Sequence, residues 1–374
     1  MKIVLVIDQF DDANNGTTIS ARRFATALKE HGNEVRVIAT GKPADYKYAV
    51  RQMKFFPIVE HLITSQGMRL AIPNRHVFEK AAAWADVVHF MMPSPLAIMG
   101  LKHVERLNIP HTAAFHCQPE NITFTLHLGN SRRANDFVYG KFRDTFFNRF
   151  THIHCPSNMI ANQLREHGYT AQLHVISNGI SPQYQYGRQP KEDWMKDRFN
   201  VLMVGRYAGE KRQDVLIKAC AQCRHGAEIQ VILAGKGPLE KKYRRLARNL
   251  PNPIVMEFYE PARLLEILHM ADLYVHTSDA EIEAMSCMEA FACGLVPVIA
   301  DSPRSATPQF ALDERSLFPA GDSGALAERI DWWFEHPEER QEMGLRYAAH
   351  AEQYALSRSI EQTEEMFRQA IAER

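Results

Sequence analysis

The chain has 374 residues, of which 45 % are apolar, 24 % charged and 10 % aromatic, a composition that excludes an intrinsically disordered protein. Its 44 basic side chains balance 44 acidic ones, which argues against a dedicated nucleic-acid-binding protein. The length corresponds to roughly two domains of about 100–200 residues each.

Charge is distributed unevenly along this neutral sequence. Residues 1–190 carry 21 Lys and Arg against 14 Asp and Glu, whereas residues 191–374 carry 23 against 30. Such a split suggests that the first half faces an anionic partner, for example a membrane surface. Domains of one protein also differ in charge for no functional reason, so this hypothesis needs support from local motifs.

The first ten residues, MKIVLVIDQF, predict a buried strand and not a signal peptide. Asp8 ends the short apolar run, and no small-residue cleavage site follows it. No stretch approaches the roughly 18 consecutive apolar residues that a membrane-spanning helix needs.

Short apolar runs alternate with helical patterns in both halves of the chain. The runs are KIVLVI, EVRVIAT, ADVVHF, PHTAAFH, HIHCPS and HVISN, then FNVLMVG, EIQVILAG, PIVMEF, DLYVHTS and VPVIAD. The alternation predicts an α/β protein with two doubly wound parallel-sheet domains, connected near 180–198. Because ligands of such sheets bind beyond the carboxyl ends of the strands, we expect the active site in a cleft between the domains.

The first predicted helix follows the stretch NNGTT, which contains Gly16 and Thr17. A glycine loop that opens a helix suits the approach of a phosphate group. The stretch lacks the GxGxxG pattern, which weighs against a nicotinamide-dependent oxidoreductase. We interpret Asp11 and Asp12, which precede the loop, as surface residues and not as metal ligands.

His116 lies at the carboxyl end of the run PHTAAFH, where a side chain reaches a ligand site. The first half holds 12 of the 17 histidines, so a histidine there is commonly structural. Position alone therefore leaves both interpretations of His116 open.

Residues 132–150 interleave basic and aromatic side chains at helical spacing. This pattern is typical of a segment that rests on anionic lipid headgroups, although a helix that packs its aromatics into the core would share it. Residues 47–62 have a similar basic and aromatic character. The candidate membrane contacts are Arg132, Arg133, Lys141, Phe142, Arg143, Phe146, Phe147 and Arg149.

In the second half, the strand FNVLMVG ends at Gly205 and Arg206, and Lys211 precedes the next helical pattern. Two cations beside a glycine and a helix N-terminus form a suitable site for a diphosphate. A capped loop with solvated charges would give the same pattern.

Glu281 and Glu289 lie eight positions apart, after the strand DLYVHTS. The pattern places Glu281 in a loop and Glu289 one or two turns into the next helix. Carboxylates accept hydrogen bonds from sugar or ribose hydroxyls, and the first amides of that helix, around Ala284, Met285 and Ser286, can meet an anionic oxygen.

The combination of GRYxxEK with E-x7-E and ACGLVPVI resembles the family-4 retaining glycosyltransferases, whose fold of two Rossmann-like domains is called GT-B. The resemblance covers essentially the whole chain. It implies that Arg206 and Lys211 bind the diphosphate of the donor, that Glu281 contacts the transferred sugar and that Glu289 holds the donor ribose. Many members have Gly-Phe-Gly after the first glutamate, whereas this chain has Ile-Glu-Ala at 282–284, so Glu283 adds a charge near the site.

The same resemblance places Gly16 beside the donor diphosphate, together with Thr17, and His116 near the acceptor and the sugar. It implies an acceptor-side domain over 1–185, a nucleotide-sugar-binding domain over 190–356, and a C-terminal helix at about 357–374 that packs back on the first domain. Catalysis would rest on His116, Glu281, Arg206 and Lys211, with no metal and no cofactor. Retention would then proceed by front-face attack.

FHCQPE, HIHCPS, ISNGI, EAMSCMEAFACGLVPVIA and the stretch 305–318 are also similar to bacterial α-glucosyltransferases that act on diacylglycerol or cholesterol. This resemblance implies UDP-glucose as donor, a lipid acceptor and a cytoplasmic enzyme bound peripherally to the inner face of the cell membrane. Two alternatives stay open. One is a glycan-assembly transferase with a saccharide or lipid-linked acceptor, and the other is an inactive UDP-sugar-binding protein.

Overall fold

The computed structural model describes residues 1–11, 16–56, 60, 64, 67–125, 128–129 and 131–374. The chain forms two compact units. The first unit comprises Met1–Asn178 and Leu356–Arg374, and the second unit is Gly179–Ala355. No helix in the described ranges is both long and apolar enough to cross a membrane.

The first unit is built on a seven-stranded sheet with the order β3-β2-β1-β4-β5-β6-β7, in which all neighbours are parallel. Its strands are β1 (Lys2–Val6), β2 (Glu34–Thr40), β3 (Lys47–Val50), β4 (Val87–Phe90), β5 (His111–Ala114), β6 (His152–Cys155) and β7 (Gln172–Val175). Its helices are α1 (Gly16–Glu30), α2 (Arg75–Trp84), α3 (Pro95–Arg106), α4 (Pro119–Thr125), α5 (Arg132–Thr145) and α6 (Asn158–Glu166), and α13 (Leu356–Ala372) returns from the end of the chain.

The second unit has a six-stranded parallel sheet with the order β10-β9-β8-β11-β12-β13. Its strands are β8 (Phe199–Val204), β9 (Ile229–Ala234), β10 (Val255–Glu257), β11 (Leu273–His276), β12 (Pro297–Asp301) and β13 (Leu317–Pro319). Its helices are α7 (Gln213–Cys220), α8 (Glu240–Leu246), α9 (Pro261–Met270), α10 (Met285–Ala292), α11 (Ser323–Glu335) and α12 (Pro337–Ala351).

The fold class predicted from the alternating pattern is confirmed, because each unit is a parallel sheet covered by helices. Strands β1 and β8 lie in the interior of their sheets, and their apolar sequences KIVLV and FNVLMV are almost entirely buried. Such runs are expected where both faces of a parallel strand are covered.

The basic and aromatic character of residues 47–62 has a structural origin at the start of the segment, because Lys47–Val50 forms the edge strand β3. Lys47 is buried there and its Nζ lies 2.6 Å from the Asp11 carboxylate. Residues 57–59 and 61–62 of this segment lie outside the described residues.

Helix α13 contributes to the core of the first unit. It contacts strands β4, β5 and β6, and its apolar residues Leu356, Ile360, Met366 and Phe367 are buried with residues of β1 and α1. Near its end, the Glu373 carboxylate lies 2.9 Å from Nε2 of the buried His152. The sheet of the first unit is therefore covered in part by residues that follow the second unit in sequence.

A close backbone approach links the ends of β8 and β9 in the second unit. The amide of Gly205 donates to the carbonyl of Ala234, and a Cβ atom placed on Gly235 would lie 2.1 Å from the carbonyl oxygen of Gly205. No side chain fits at that distance, so position 235 requires glycine. The contact fixes the loop that follows β8.

We expect Gly235→Ala to lower the free energy of unfolding of the second unit by about 2–3 kcal/mol, since overpacking against backbone forces the chain apart. Gly209→Ala is the matched control, because a Cβ atom there meets nothing within 4 Å. The control should change stability by less than about 1 kcal/mol. Urea denaturation followed by circular dichroism measures both, and equal stabilities would contradict the close approach.

Candidate functional site

The loop after β8 carries the two cations that the sequence singled out. Arg206 follows Gly205 directly, and its Nη2 donates to Oε1 of Glu210 at 2.8 Å. The side-chain amide of Gln213, on the first turn of α7, donates to the Arg206 carbonyl at 2.9 Å. These bonds hold the loop at the carboxyl end of the central strand, where ligands of parallel sheets bind.

Lys211 and Glu281 form an ion pair in the second unit, 70 positions apart in sequence. The Lys211 ammonium contacts Oε1 of the Glu281 carboxylate. Nε2 of His276 lies 3.2 Å from the same oxygen. Burial by itself raises the pKa of the Glu281 carboxyl, but the Lys211 charge and the His276 hydrogen bond outweigh it and hold that pKa well below its usual range. Glu281 is therefore a buried carboxylate, ionised at neutral pH.

The backbone of Glu281 is held by the loop after β12. The Glu281 amide donates to the carbonyl of Arg304, and the amide of Ala306 donates to the carbonyl of Glu281 at 2.9 Å. Glu281 and Ser305 thereby form a short parallel bridge. The stretch 305–318, which resembles the lipid glucosyltransferases in sequence, begins with Ser305, the partner of Glu281 in this bridge.

Helix α10 begins beside the same loop. Its N-terminal cap, Ala284, adopts the left-handed conformation with φ of 61°. The hydroxyl of Ser286 accepts a hydrogen bond from the Tyr274 hydroxyl at 3.0 Å and donates to the Val204 carbonyl. The side chain of Ser286 is therefore bonded within the unit, which leaves its backbone as the part that fits the predicted role.

Glu289 lies on the second turn of α10 and is buried, as is Glu283 in the preceding loop. This agrees with the expected placement of Glu281 in a loop and Glu289 within the next helix. Glu283, which adds a charge at this position, is only 1 % exposed, so it is packed inside the loop and does not lie on the surface.

A polar network behind the site was not predicted from the sequence. Arg212, which is left-handed with φ of 54°, donates to the carboxylates of Asp279 and Asp214. The hydroxyl of Thr277 donates to the carbonyl of Lys211 at 2.8 Å. These contacts join the start of α7 to the end of β11 and so fix the backbone on both sides of the Lys211–Glu281 pair.

His116 belongs to the first unit and follows β5 by two residues. It is buried, and its ring packs edge-on against His154 with ring centres 5.2 Å apart. Burial, more than the neighbouring His154 and His89, holds the pKa of His116 well below its usual range. His116 is therefore a neutral imidazole, and its Nε2 has no hydrogen-bond partner among the described residues.

Gly16 and Thr17 are the first residues of α1, and Gly16 is exposed. The residues before them, 12–15, include Asp12 and the first two residues of the stretch NNGTT and lie outside the described residues. The structure thus brings Arg206, Lys211, Glu281 and the start of α10 together in the second unit, and it places Gly16, Thr17 and His116 in the first unit.

Sequence reasoning missed His276, Thr277 and Gly235. The signal for His276 was a polar residue directly after the apolar run LYV, five positions before Glu281. The signal for Gly235 was a GxG pattern directly after the strand EIQVILA. In the described parts of the chain, no group of three or more His, Cys, Asp or Glu side chains is arranged to hold a metal ion.

Helix α5 and the turn after it correct part of the membrane-contact prediction. Phe146 and Phe147 are fully buried and pack against Phe90, Phe115 and Phe150, so they are core residues and not membrane contacts. Phe142 is half-buried and stacks edge-on to Phe147.

The two arginines nearest to this turn are bonded within the first unit. Arg143 donates to Asp144 and to the His167 carbonyl, and Arg149 pairs with Glu105. The exposed positions of α5 include the basic and aromatic residues Arg132, Arg133, Phe137 and Lys141, together with Asp136, Asp144 and Thr145.

Two family models match the chain in succession. The model described as Glycosyltransferase Family 4 matches residues 14–184, and the model described as Glycosyl transferases group 1 matches residues 188–349. Two Rossmann-like units with an ion-paired E-x7-E glutamate at a strand end define a GT-B glycosyltransferase. The chain belongs to glycosyltransferase family 4.

Several known proteins are similar to the chain. It is 21 % identical over 320 residues to the alpha-monoglucosyldiacylglycerol synthase of Streptococcus pneumoniae, covering 80 % of this chain and 71 % of the relative. It is 49 % identical to the catalytic domain of cholesterol-alpha-glucosyltransferase from Helicobacter pylori, covering 42 % of this chain and 99 % of that one, with a TM-score of 0.41. The Anabaena HepE protein, solved with UDP and glucose, has a TM-score of 0.75 at 17 % identity, covering 99 % of this chain and 100 % of that one.

We expect Lys211→Met to lower the free energy of unfolding by about 2 kcal/mol, because it leaves the buried Glu281 carboxylate without its main counter-charge. The double variant Lys211→Met/Glu281→Gln should regain at least half of that loss, since the uncompensated charge is then absent. Urea denaturation at pH 7.5 measures all variants.

Lys218→Met is the matched control for this experiment. Lys218, like Lys211, pairs with a carboxylate, here that of Asp214, but half of the Lys218 side chain is exposed. Exposed pairs contribute at most about 1 kcal/mol, so the control should differ little from the unaltered protein. A double variant less stable than Lys211→Met would contradict the ion-pair assignment.

Proposed function

We propose that this chain is a retaining glycosyltransferase that moves a hexose, glucose first among the candidates, from a UDP-sugar to the hydroxyl of a membrane lipid such as diacylglycerol or a sterol. The observation that carries the proposal is the partly buried Lys211–Glu281 pair at the carboxyl ends of β8 and β11, beside Arg206. Family membership supports the reaction class, and the pair supplies the chemistry of the donor site.

Arg206 and Lys211 bind the diphosphate in this proposal. Both cations are already engaged, Arg206 by Glu210 and Lys211 by Glu281, so they are held in place before a ligand arrives. Positive charge fixed in advance stabilises the negative charge that develops on the departing diphosphate without reorganisation. The HepE protein, which shares the fold, was solved with UDP and glucose, which supports a UDP-sugar as donor.

In this proposal, Glu281 accepts hydrogen bonds from hydroxyls of the transferred sugar, and Glu289 accepts hydrogen bonds from hydroxyls of the ribose. An ionised carboxylate is a strong acceptor, and the low pKa of Glu281 keeps it ionised. We assign the start of α10, at Met285 and Ser286, to the anionic part of the donor, because the N-terminus of a helix carries partial positive charge. Ala284 sets the direction of that turn through its left-handed backbone.

The first unit supplies Gly16 and Thr17 near the diphosphate and His116 near the sugar and the acceptor. His116 is neutral and has a ring nitrogen with no partner among the described residues, so it can exchange a hydrogen bond with a substrate hydroxyl. This assignment comes from the family resemblance, and the burial of His116 is consistent with it.

The reaction itself is a substitution at the anomeric carbon. The bond from that carbon to the β-phosphate oxygen breaks, and a bond to the lipid hydroxyl oxygen forms on the same face. The hydroxyl proton passes to the departing phosphate oxygen, so charge and atoms balance and the anomeric configuration is retained. Cationic side chains carry out the electrostatic work in this scheme, with no metal and no cofactor required.

A lipid acceptor is supported by the Streptococcus pneumoniae relative, whose name describes synthesis of a glucosyldiacylglycerol, and by the sequence resemblance at 305–318. The exposed basic residues of α5 and its exposed Phe137 fit a peripheral contact with anionic lipid, whereas Asp136 and Asp144 on the same helix do not contribute to it. The Arg132 side chain is 95 % exposed, and the Lys141 ammonium lies 5.5 Å from the ring of the exposed Phe137. We therefore propose that the enzyme binds the inner face of the cell membrane through this helix.

We expect the purified protein to transfer label from UDP-glucose to a chloroform-soluble product when incubated with total bacterial lipid extract. Parallel reactions with UDP-galactose and the N-acetylated donors identify the sugar, and mass spectrometry of the product identifies diacylglycerol, sterol or another lipid. Labelled product confined to the aqueous phase would contradict a lipid acceptor and favour a saccharide acceptor.

Glu281→Ala should lower kcat for this transfer roughly 100-fold or more, because it removes a hydrogen-bond acceptor used in the transition state. The exposed Glu338 of α12 provides the control, and Glu338→Ala should keep full activity. Full activity of Glu281→Ala would remove this residue from the mechanism. Tight UDP binding without turnover on any lipid or saccharide would favour a UDP-sugar-binding protein.

Reversing three charges on α5, by Arg132→Glu, Arg133→Glu and Lys141→Glu, should weaken binding to vesicles containing anionic lipid roughly 100-fold, at about 1 kcal/mol per basic residue. The matched control reverses three exposed charges on α8 of the second unit, Lys241, Lys242 and Arg245. Vesicle sedimentation compares the two variants. Equal losses would show a general charge effect and contradict a membrane contact on α5.

A further inference from the structure

The last residue of strand β11, His276, is buried against the donor-site glutamate, although neither the fold nor the predicted site requires a histidine there. Its side chain is 2 % exposed, and its Nε2 lies 3.2 Å from Oε1 of Glu281. We propose that His276 is a positioning residue that holds Glu281 by one carboxylate oxygen, so that the other oxygen, Oε2, receives a hydroxyl of the transferred sugar. This inference rests on the proposed function.

The hydrogen bond has a defined direction. A carboxylate only accepts hydrogen bonds, so Nε2 of His276 carries the proton and donates it to Oε1. The Lys211 ammonium donates to the same oxygen. Two donors on Oε1 fix the rotation of a side chain that otherwise turns about three bonds. No hydrogen bond among the described residues engages Oε2.

His276 is itself held from the other side of its ring. The Tyr274 hydroxyl lies 3.4 Å from Nδ1 and donates to Oγ of Ser286, which in turn donates to the Val204 carbonyl at the end of β8. The chain of contacts therefore runs from the backbone of the central strand to the sugar-binding carboxylate. Because the single proton of the Tyr274 hydroxyl goes to Ser286, the contact with Nδ1 packs against the ring, and the hydrogen bond that orients His276 is the one to Glu281.

The neighbouring residue completes this arrangement. Successive side chains of a strand point to opposite faces, so His276 and Thr277 act on different partners. Thr277 donates to the carbonyls of Lys211 and Arg212 at 2.8 and 2.9 Å. The end of β11 thus positions both members of the Lys211–Glu281 pair, the glutamate through its side chain and the lysine through its backbone.

A purely structural role for His276 makes a different prediction. If the ring only filled space in the core, His276→Leu would change stability and leave the kinetics of the folded fraction unchanged. If the ring positions Glu281, His276→Gln should rescue activity that His276→Leu loses, because the glutamine amide can donate to the carboxylate as Nε2 does.

The experiment measures kcat and the donor KM of sugar transfer, together with UDP binding by calorimetry, for His276→Leu and His276→Gln. We expect His276→Leu to lower kcat at least tenfold, since loss of a supporting hydrogen bond behind a binding group typically costs 10–100-fold. UDP affinity should stay within about threefold, because UDP lacks the sugar that Oε2 receives, and His276→Gln should keep at least a third of the original kcat.

The matched control is His225→Leu, which removes another histidine–glutamate contact of the second unit, from His225 to Glu335 at 2.9 Å. Its kinetics should equal those of the unaltered protein. An unchanged kcat for His276→Leu, or equal losses for His276→Leu and His276→Gln, would overturn the proposal.

A crystal structure of His276→Leu gives a readout that does not depend on turnover. We expect the Glu281 carboxylate to rotate away from its original position, and a carboxylate that superposes on the original would overturn the positioning role. If the unaltered protein transfers no sugar from any UDP-sugar, the proposed function fails, and the crystal structure still decides whether His276 positions Glu281.

Discussion

The donor side of the second unit is organised around a partly buried ion pair, in which Lys211 compensates the buried carboxylate of Glu281. Removing a carboxylate from water is costly, and a buried pair is tolerated only when its geometry is good and further hydrogen bonds satisfy it. The chain provides these bonds from separate elements. The loop after β12 bonds the Glu281 backbone, Thr277 bonds the Lys211 carbonyl, and His276 shares the carboxylate oxygen. The chemistry of the site and the packing of the unit are therefore inseparable.

Two of the four described residues other than glycine that have positive φ lie at the same place. Arg212 and Ala284, the residues that precede α7 and α10, both have positive φ, which costs a residue other than glycine roughly 1–2 kcal/mol. Arg212 is held by two aspartates, and Ala284 is buried in the core of the unit. Many family members have glycine where this chain has Ala284. Glycine adopts positive φ without strain, whereas the alanine backbone is strained in the same turn. Such strain typically accompanies sites that must present a fixed geometry.

The sequence allowed the architecture and the second-unit site to be predicted, because both depend on local patterns. Apolar runs reveal strands whose two faces are covered, and the spacing of Glu281 and Glu289 gives their place in a loop and a helix. Short edge strands such as β13 carry too few residues to show a pattern. His276 was missed because its role depends on a contact with a residue from another element, and Phe146 and Phe147 were misassigned because buried and interfacial aromatics share one periodicity.

The placement of α13 has a consequence for biosynthesis. The second unit is one continuous segment, Gly179–Ala355, and it can complete its core as soon as that segment has left the ribosome. The first unit is made of two segments, and the buried faces of Leu356, Ile360 and Phe367 arrive only afterwards. Until these residues are synthesised, the apolar face of the amino-terminal sheet that they cover stays exposed. We therefore expect the second unit to complete its core before the first, whereas domains generally fold in order from the amino terminus during translation.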